Sequence, residues 1–255
     1  MSSDSTKIIL ITGASSGIGM ATAQLLAKAP YSLILCGRRK EKLQQLKSEL
    51  ERHVPVHTLC FDVSDYKDVE KAFQELPEDF KNIDVLVNNA GNAHGLDSLL
   101  EGNVEDWDQM IDGNVKGLLY VSRMVIPGMA RRSCGHVINI SSVAALQTYA
   151  GGVVYCASKK AVDVISEGMR LELTSLGIKV SNIRPGAVET DFSIVRFKGD
   201  EFRASQVYQG FTPLNANDIA DAIRYCIEAP AHVSVSEMTL YPTAQSEART
   251  IHKKL

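Results

Sequence analysis

Lys7-Ile8-Ile9-Leu10-Ile11-Thr12-Gly13-Ala14-Ser15-Ser16-Gly17-Ile18-Gly19 is an apolar run that breaks into a turn of small residues and then opens an apolar helical stretch over residues 20–29. A continuous apolar run marks a strand buried on both faces, as in a parallel sheet. Glycines in the turn that follows let the backbone approach a pyrophosphate at the positive end of a helix. The spacing is G-x-x-x-G-x-G and not the commoner G-x-G-x-x-G of dinucleotide sites. Its place after the first strand nevertheless points to a nucleotide; a tight turn without a ligand is the alternative.

Working outward, residues 31–36, 56–61, 83–87, 136–140 and 178–183 read as further strands, with a last one at 237–241. Helical stretches fall between them: 41–52, from a Ser64-Asp65 cap to 73, 104–112, 115–131, from Tyr155 to about 176, and from an Asn217-Asp218 cap to about 228. Strands alternating with helices of ten or more residues predict βαβ units. The expected fold is α/β, a single doubly wound Rossmann-type domain over residues 1–255 with a mostly parallel, about seven-stranded sheet flanked by helices. Residues 190–212 show no strong period and are predicted as an excursion beyond the sheet edge that meets the substrate.

The end of the second strand discriminates between nucleotides. NAD sites usually place an acid about 20 residues past the glycine turn, where it holds the ribose 2′-hydroxyl. Here Gly37 stands in that region, followed by Arg38 and Arg39. No carboxylate repels a 2′-phosphate there, and two guanidiniums can grip it. NADP is therefore the predicted cofactor, against a merely solvated basic helix start. Asp62, at the end of the third strand, is placed to accept a hydrogen bond from an adenine amino group.

Of the eight tyrosines, Tyr155 alone has a lysine four positions on, Lys159. Residues i and i+4 share a helix face, so the ammonium can sit near the phenol. Bringing a phenol to neutrality takes on the order of 4 kcal/mol of preferential stabilisation of the phenolate. A fixed cation, with a second positive charge on a bound cofactor, can supply it. The product is an acid/base for proton transfer to or from an oxygen. By itself such a pair more often marks a solvated helix face; the neighbouring motifs decide for chemistry.

Bulk properties narrow the partners. Hydrophobic residues make up 45% and charged residues 22% of 255, and the formal net charge is −3, so there is no basic footprint for nucleic acid. Cys36, Cys60, Cys134, Cys156 and Cys226 are odd in number and widely spaced, without a C-x-x-C pair. That pattern argues against disulfides and a metal site and for a reducing compartment. The polar start, residues 1–6, lacks a signal-peptide core. Nowhere do eighteen apolar residues run together, so no membrane span is expected. Residues 251–255 resemble a peroxisomal ending only weakly, without Ser-Lys-Leu, and a cytoplasmic location is expected.

Taken together, these residues resemble the short-chain dehydrogenase/reductase family along the whole chain. Residues 12–19 are similar to its glycine motif, including the spacing, and Asn88-Asn89-Ala90-Gly91 matches its strand-four motif. Asn114, Ser142, Tyr155 and Lys159 match its catalytic four, with Ser142 thirteen positions before Tyr155. Pro185-Gly186 and Thr190 match the segment that closes over the nicotinamide, and the resemblance adds Val63 and Val188 to the cofactor contacts. It implies that Tyr155 exchanges the proton and Ser142 fixes the reacting oxygen. Lys159 would lower the Tyr155 pKa and bind the nicotinamide ribose, and Asn114 would link Lys159 to solvent.

Residues 193–200 and Pro230-Ala231-His232-Val233 are similar to NADP-dependent 3-hydroxy acid dehydrogenases, which act on serine and L-allo-threonine and are typically tetramers. A hydroxy acid brings a carboxylate that must be desolvated near the nicotinamide, so a cation should meet it. The excursion holds Arg196, Lys198 and Arg203, of which Arg196, between Val195 and Phe197, suits a partly buried bidentate contact. A structural ion pair or subunit contact is the alternative role. The competing functions are a carbonyl reductase of ketones or sugars with the same four residues, and a non-catalytic NADP sensor.

Overall fold

The computed structural model describes residues 6–254; the readings of residues 1–5 and of Leu255 lie outside the described residues. The first half alternates β1 (Lys7–Thr12), α1 (Gly17–Leu26), β2 (Tyr31–Gly37), α2 (Lys40–Leu50), β3 (Val56–Cys60), α3 (Tyr66–Gln74) and β4 (Ile83–Asn88). Next come α4 (Val104–Ile111), a π-helical turn (Asp112–Lys116), α5 (Gly117–Arg132), β5 (Gly135–Ile140), α6 (Val153–Leu173) and β6 (Ile178–Pro185). The chain then runs through β7 (Val188–Glu189), α7 (Phe192–Arg196), α8 (Glu201–Gln206), β8 (Leu214–Asn215), α9 (Ala216–Glu228) and β9 (Glu237–Leu240).

Seven strands form one sheet in the order β3-β2-β1-β4-β5-β6-β9, and every neighbouring pair is parallel. The alternation of side chains explains the all-apolar strands. Ile9, Ile11, Leu33 and Leu35 pack under α1, α2 and α9, while Ile8, Leu10, Ile34 and Cys36 pack under α3, α5 and α6. The register Ile9↔Leu33 and Ile11↔Leu35 puts like faces together, and a one-residue slip would exchange them. Strand order reverses between β1 and β4. Open α/β sheets bind ligands in the crevice at such a reversal, beyond the carboxyl ends of the strands.

Two local expectations change. The last helix is capped by Asn215 and not by the Asn217-Asp218 pair: Asn215 Oδ1 accepts from the Asn217 and Asp218 amides, and Asp218 returns the bond to the Asn215 amide at 2.8 Å. That reciprocal box satisfies donors at both positions. Residues 190–212 carry two helices, α7 and α8, too short for their period to emerge from sequence. Asp65 does cap α3, accepting from the Lys67 and Asp68 amides. No helix among the described residues is long and apolar enough to cross a membrane.

The sheet interior also sets a pH response. His136 on β5 is buried, with Nε2 2.8 Å from Ser181 Oγ on β6. Burial, with the charges of Lys179 and Lys7, lowers its pKa to about 3. Above the unfolded pKa of about 6.5 the ring is neutral in both states and the native advantage is complete. As pH falls through 6.5 the unfolded chain takes up the proton first, so stability is lost down to about pH 3. From pH 7 to 5 this one group should cost about 2 kcal/mol. Urea unfolding of His136→Gln at both pH values should show that much less pH dependence; an unchanged difference would acquit the imidazole.

Candidate active site

At the reversal between β1 and β4 the loops after the strands enclose a cleft of about 1040 Å³. Its floor begins at the glycine turn. Gly13 has φ +66°, and a Cβ there would stand 2.9 Å from Asn89 Nδ2 and 3.0 Å from Ala90 Cα. A Cβ at Gly19 would collide with the Gly13 carbonyl. The β4 motif holds this turn in place. Thr12 Oγ1 accepts from the Asn89 amide at 3.0 Å and the Ala90 amide at 2.9 Å, and Asn89 Nδ2 donates to the Thr12 carbonyl at 2.9 Å. The result is a backbone surface with room for a phosphate and none for larger side chains.

Arg39 reaches back over this surface, donating to Ser15 Oγ at 2.8 Å and Ser16 Oγ at 2.6 Å. Ser16 precedes α1, its side chain makes no capping bond, and the first turn of α1 has no acid. Guanidinium, hydroxyls and helix end thus converge as an anion site. Arg38 behaves differently: its Nη1 lies 3.3 Å from Asp62 Oδ2. Asp62 Oδ1 accepts from the Ser64 amide at 2.9 Å and the Ser64 hydroxyl at 2.7 Å. Burial opposes its charge, but the Ser64 bonds and Arg38 outweigh this and hold the carboxyl below its usual range. Asp62 stands two positions beyond the end of β3 and lines the cleft with these bonds in place. Val63, Ala90, Gly91, Pro185, Gly186, Val188 and Thr190 line the same cleft, as do Gly17 and Ile18.

Ser142, Tyr155 and Lys159 come together at the inner end. Ser142 follows β5 and its Oγ accepts from the Ala144 amide at 3.1 Å. Tyr155 and Lys159, one helical turn apart on α6, are buried. Lys159 Nζ donates to the Ile140 carbonyl at 3.0 Å. Asn114 stands behind the cleft in the π turn. Its Oδ1 accepts from the Asn92 amide at 2.7 Å, while Nδ2 donates to the Asn92 carbonyl at 2.9 Å and to Ser158 Oγ at 3.0 Å. It fixes the main chain around the site; no hydrogen bond joins it to Lys159. Gly91 makes that proximity possible, since a Cβ there would sit 2.9 Å from Asn114 Oδ1 and 3.3 Å from Lys159 Nζ.

Burial dominates the electrostatics of both groups. Burial pushes Tyr155 up to about 12, against the pull of the Arg196 charge and the Ser142 hydroxyl. Burial lowers Lys159 to about 8, with Asp163 opposing the shift. The ammonium is held at the Ile140 carbonyl and pays for desolvation, so in the protein alone it does not bring the phenol toward neutrality.

Arg196 is the cation that meets Tyr155. Its Cζ lies 4.8 Å from the Tyr155 ring centroid and 5.2 Å from that of Phe192. Nη2 donates to Tyr149 Oη at 3.4 Å, and Nε is buried without a partner. Its carbonyl accepts from the Gly95 amide at 2.8 Å, which ties α7 to the loop after β4. Of the other two expected cations, Lys198 is committed elsewhere, whereas Arg203 lines the same cleft. Lys198 pairs with Asp106 at 2.9 Å, and Arg203 stacks on Phe197 at 4.5 Å.

Sequence reasoning missed one wall altogether. The segment after β9 folds over the cleft: Gln245 is buried, and its Oε1 accepts from the Ala187 amide at 2.8 Å. Gln147 Oε1 accepts from the Ala248 amide at 3.2 Å, and Arg249 Cζ lies 5.1 Å from the Tyr149 ring centroid. Nothing in residues 242–254 has a helical or strand period, so only these long-range bonds reveal the wall.

Residues 7–200 match the family described as short chain dehydrogenase. Sulfoacetaldehyde reductase 2 of Chromohalobacter salexigens is 42% identical over 240 residues, covering 94% of this chain and 95% of that protein. The NADP-dependent 3-hydroxy acid dehydrogenase YdfG of Salmonella typhi is 43% identical over 242 residues, covering 94% and 97%. Among solved structures, the closed form of serine dehydrogenase complexed with NADP+ is 40% identical with a TM-score of 0.91, covering 97% of this chain and all of that one.

Proposed function

The chain belongs to the short-chain dehydrogenase family, and from that premise we propose that it is an NADP-dependent oxidoreductase of small 3-hydroxy acids such as serine or L-allo-threonine. The cradle around Gly13 and Gly19, the Arg39–Ser15–Ser16 cluster and the lack of an acid at Gly37 fit a 2′-phosphorylated dinucleotide. NADP, when bound, supplies or accepts the hydride. In the reducing direction Tyr155 gives its proton to the substrate oxygen, and Ser142 holds that oxygen in place. Lys159 would hold the nicotinamide ribose, and Asn114 steadies the backbone beneath. The same reading makes residues 1–255 one catalytic unit, assembled as a homotetramer in the cytoplasm.

The carrying observation is Arg196. A guanidinium beside the reacting phenol, with a buried Nε that lacks a partner, asks for an anion on the substrate. A neutral ketone or sugar can accept a hydrogen bond there but brings no counter-charge for the guanidinium, which disfavours the carbonyl-reductase alternative. A sulfonated aldehyde is the second reading, because one methylene separates the reacting carbon from the anionic group in sulfoacetaldehyde as in a 3-oxo acid. Arg196→Met should lower kcat/KM for 3-hydroxy acids on the order of 10- to 100-fold. An uncharged alcohol of similar size should lose much less. Equal losses on both, in protein that still binds NADPH, would assign Arg196 to the fold.

A further inference from the structure

We propose that the Asp106–Lys198 ion pair is a positioning clamp for Arg196: by fastening the turn after α7 to α4, it holds the guanidinium over Tyr155 and so sets the preference for an anionic substrate. This rests on the reading that Arg196 meets the substrate's anion.

The backbone after α7 gives the first sign. Lys198 has φ +54°, a left-handed conformation that is unfavourable for a residue with a side chain and that helix ends ordinarily assign to glycine. A glycine stands next to it, Gly199, itself left-handed at φ +91°. The Lys198 amide donates to the Val195 carbonyl at 3.1 Å and the Gly199 amide to the Ile194 carbonyl at 2.9 Å, which closes the helix. A strained backbone persists where its surroundings over-determine it, and such places gather at ligand clamps. Here the side chain does the fixing: Lys198 Nζ lies 2.9 Å from Asp106 Oδ2.

Asp106 is placed to receive it. The residue is buried in the first turn of α4, and among the described residues no other basic group forms a salt bridge with it. Met110, one turn further along the same face, is buried in the cluster that contains Tyr155. Helix α4 therefore touches the surroundings of the reacting phenol and the turn after α7 together. A second tie runs beside the first, because the Arg196 carbonyl accepts from the Gly95 amide at 2.8 Å. The main chain of Arg196 is thus held at its own carbonyl and again two residues on. Its guanidinium has no such anchor: among the described residues it joins no salt bridge, and it rests on the Tyr155 and Phe192 rings with one long bond to Tyr149. Whatever fixes the main chain decides where this charge sits.

Lys198→Gly and Asp106→Asn remove the pair from opposite ends, with different side effects. The first relaxes the turn but leaves a buried carboxylate alone; the second leaves only an exposed ammonium, which water solvates. A loosened Arg196 is what they share. With the full chain and NADPH, each should raise KM for malonic semialdehyde on the order of 10-fold, with kcat within about twofold. KM for propanal and the affinity for NADPH should change less than about twofold, and Lys198→Arg, which keeps the charge, should retain most of the selectivity. Added to Arg196→Met, either substitution should cost the semialdehyde nothing further, since the pair acts through that arginine. Additive losses would make Lys198 a direct ligand of the anion, and equal losses on both aldehydes, or none, would make the pair a support of the fold. Each of these results would overturn the assignment and leave the reading of Arg196 intact. A wild-type enzyme with no preference for the semialdehyde over propanal would overturn that reading, and this proposal with it.

Discussion

Tyr155→Phe should lower kcat on the order of 10²- to 10⁴-fold while NADPH affinity stays within about twofold. The substitution removes the proposed proton donor and little else. The ring remains packed on Phe192, with centroids 5.8 Å apart, and remains beneath the Arg196 guanidinium. Because burial raises the phenol to about 12, Tyr155 carries its proton throughout the physiological range, which suits it to act as an acid toward a carbonyl oxygen. In the oxidising direction the same group must first lose that proton, so activity should climb with pH. A Tyr155→Phe protein with a tenth of wild-type kcat would exclude this role.

Asp163→Asn should destabilise the protein by about 3 kcal/mol, the lower end of what removing one partner of a buried pair costs. Asp163 lies one turn beyond Lys159 on α6 and is buried with everything it touches. Its carboxylate accepts from Arg184 Nε at 2.9 Å, Ser141 Oγ at 2.7 Å and Asn182 Nδ2 at 2.7 Å. The amide would leave Arg184 with Glu237, 2.6 Å from Nη1, as its remaining counter-charge. That residual pair is why the loss stays at the low end. Asp163 is also the group that favours the ammonium of Lys159, so the variant should titrate the lysine at lower pH as well. Urea unfolding at pH 7 gives the first effect directly. A loss under about 1 kcal/mol would mean that the neutral amide serves the network as well as the charge does.

What could be read from the residues was whatever short-range pattern encodes. Ile8 to Ile11 had to be buried on two faces because no polar residue interrupts them, and two-sided burial implies a parallel sheet with helices above and below. Tyr155 and Lys159 shared a face by helical arithmetic, and Asp65 advertised its cap. The remainder depends on partners distant in the chain. The Arg38–Asp62 pair joins the ends of β2 and β3, so this ion pair could not be read from either strand alone. Helices α7 and α8, of five and six residues, are shorter than the window that establishes a period. Arg196 was legible as a cation between apolar neighbours, but its stacking on Tyr155 was not. Gln245 and Arg249 gave no signal, since a wall made of side-chain to main-chain bonds carries no periodicity.

The π turn at Asp112–Lys116 constrains the length of the chain as well as its path. Such a turn is geometrically a helix with one extra residue, and π turns are frequent at functional sites. Excising a single position there would restore ordinary α geometry and swing one flank by roughly 100° relative to the other. Asn114 would then be turned away from its anchors, Asn92 in the loop after β4 and Ser158 on α6. The length of this stretch, more than the identity of most of its residues, thus sets how α4 and α5 face each other.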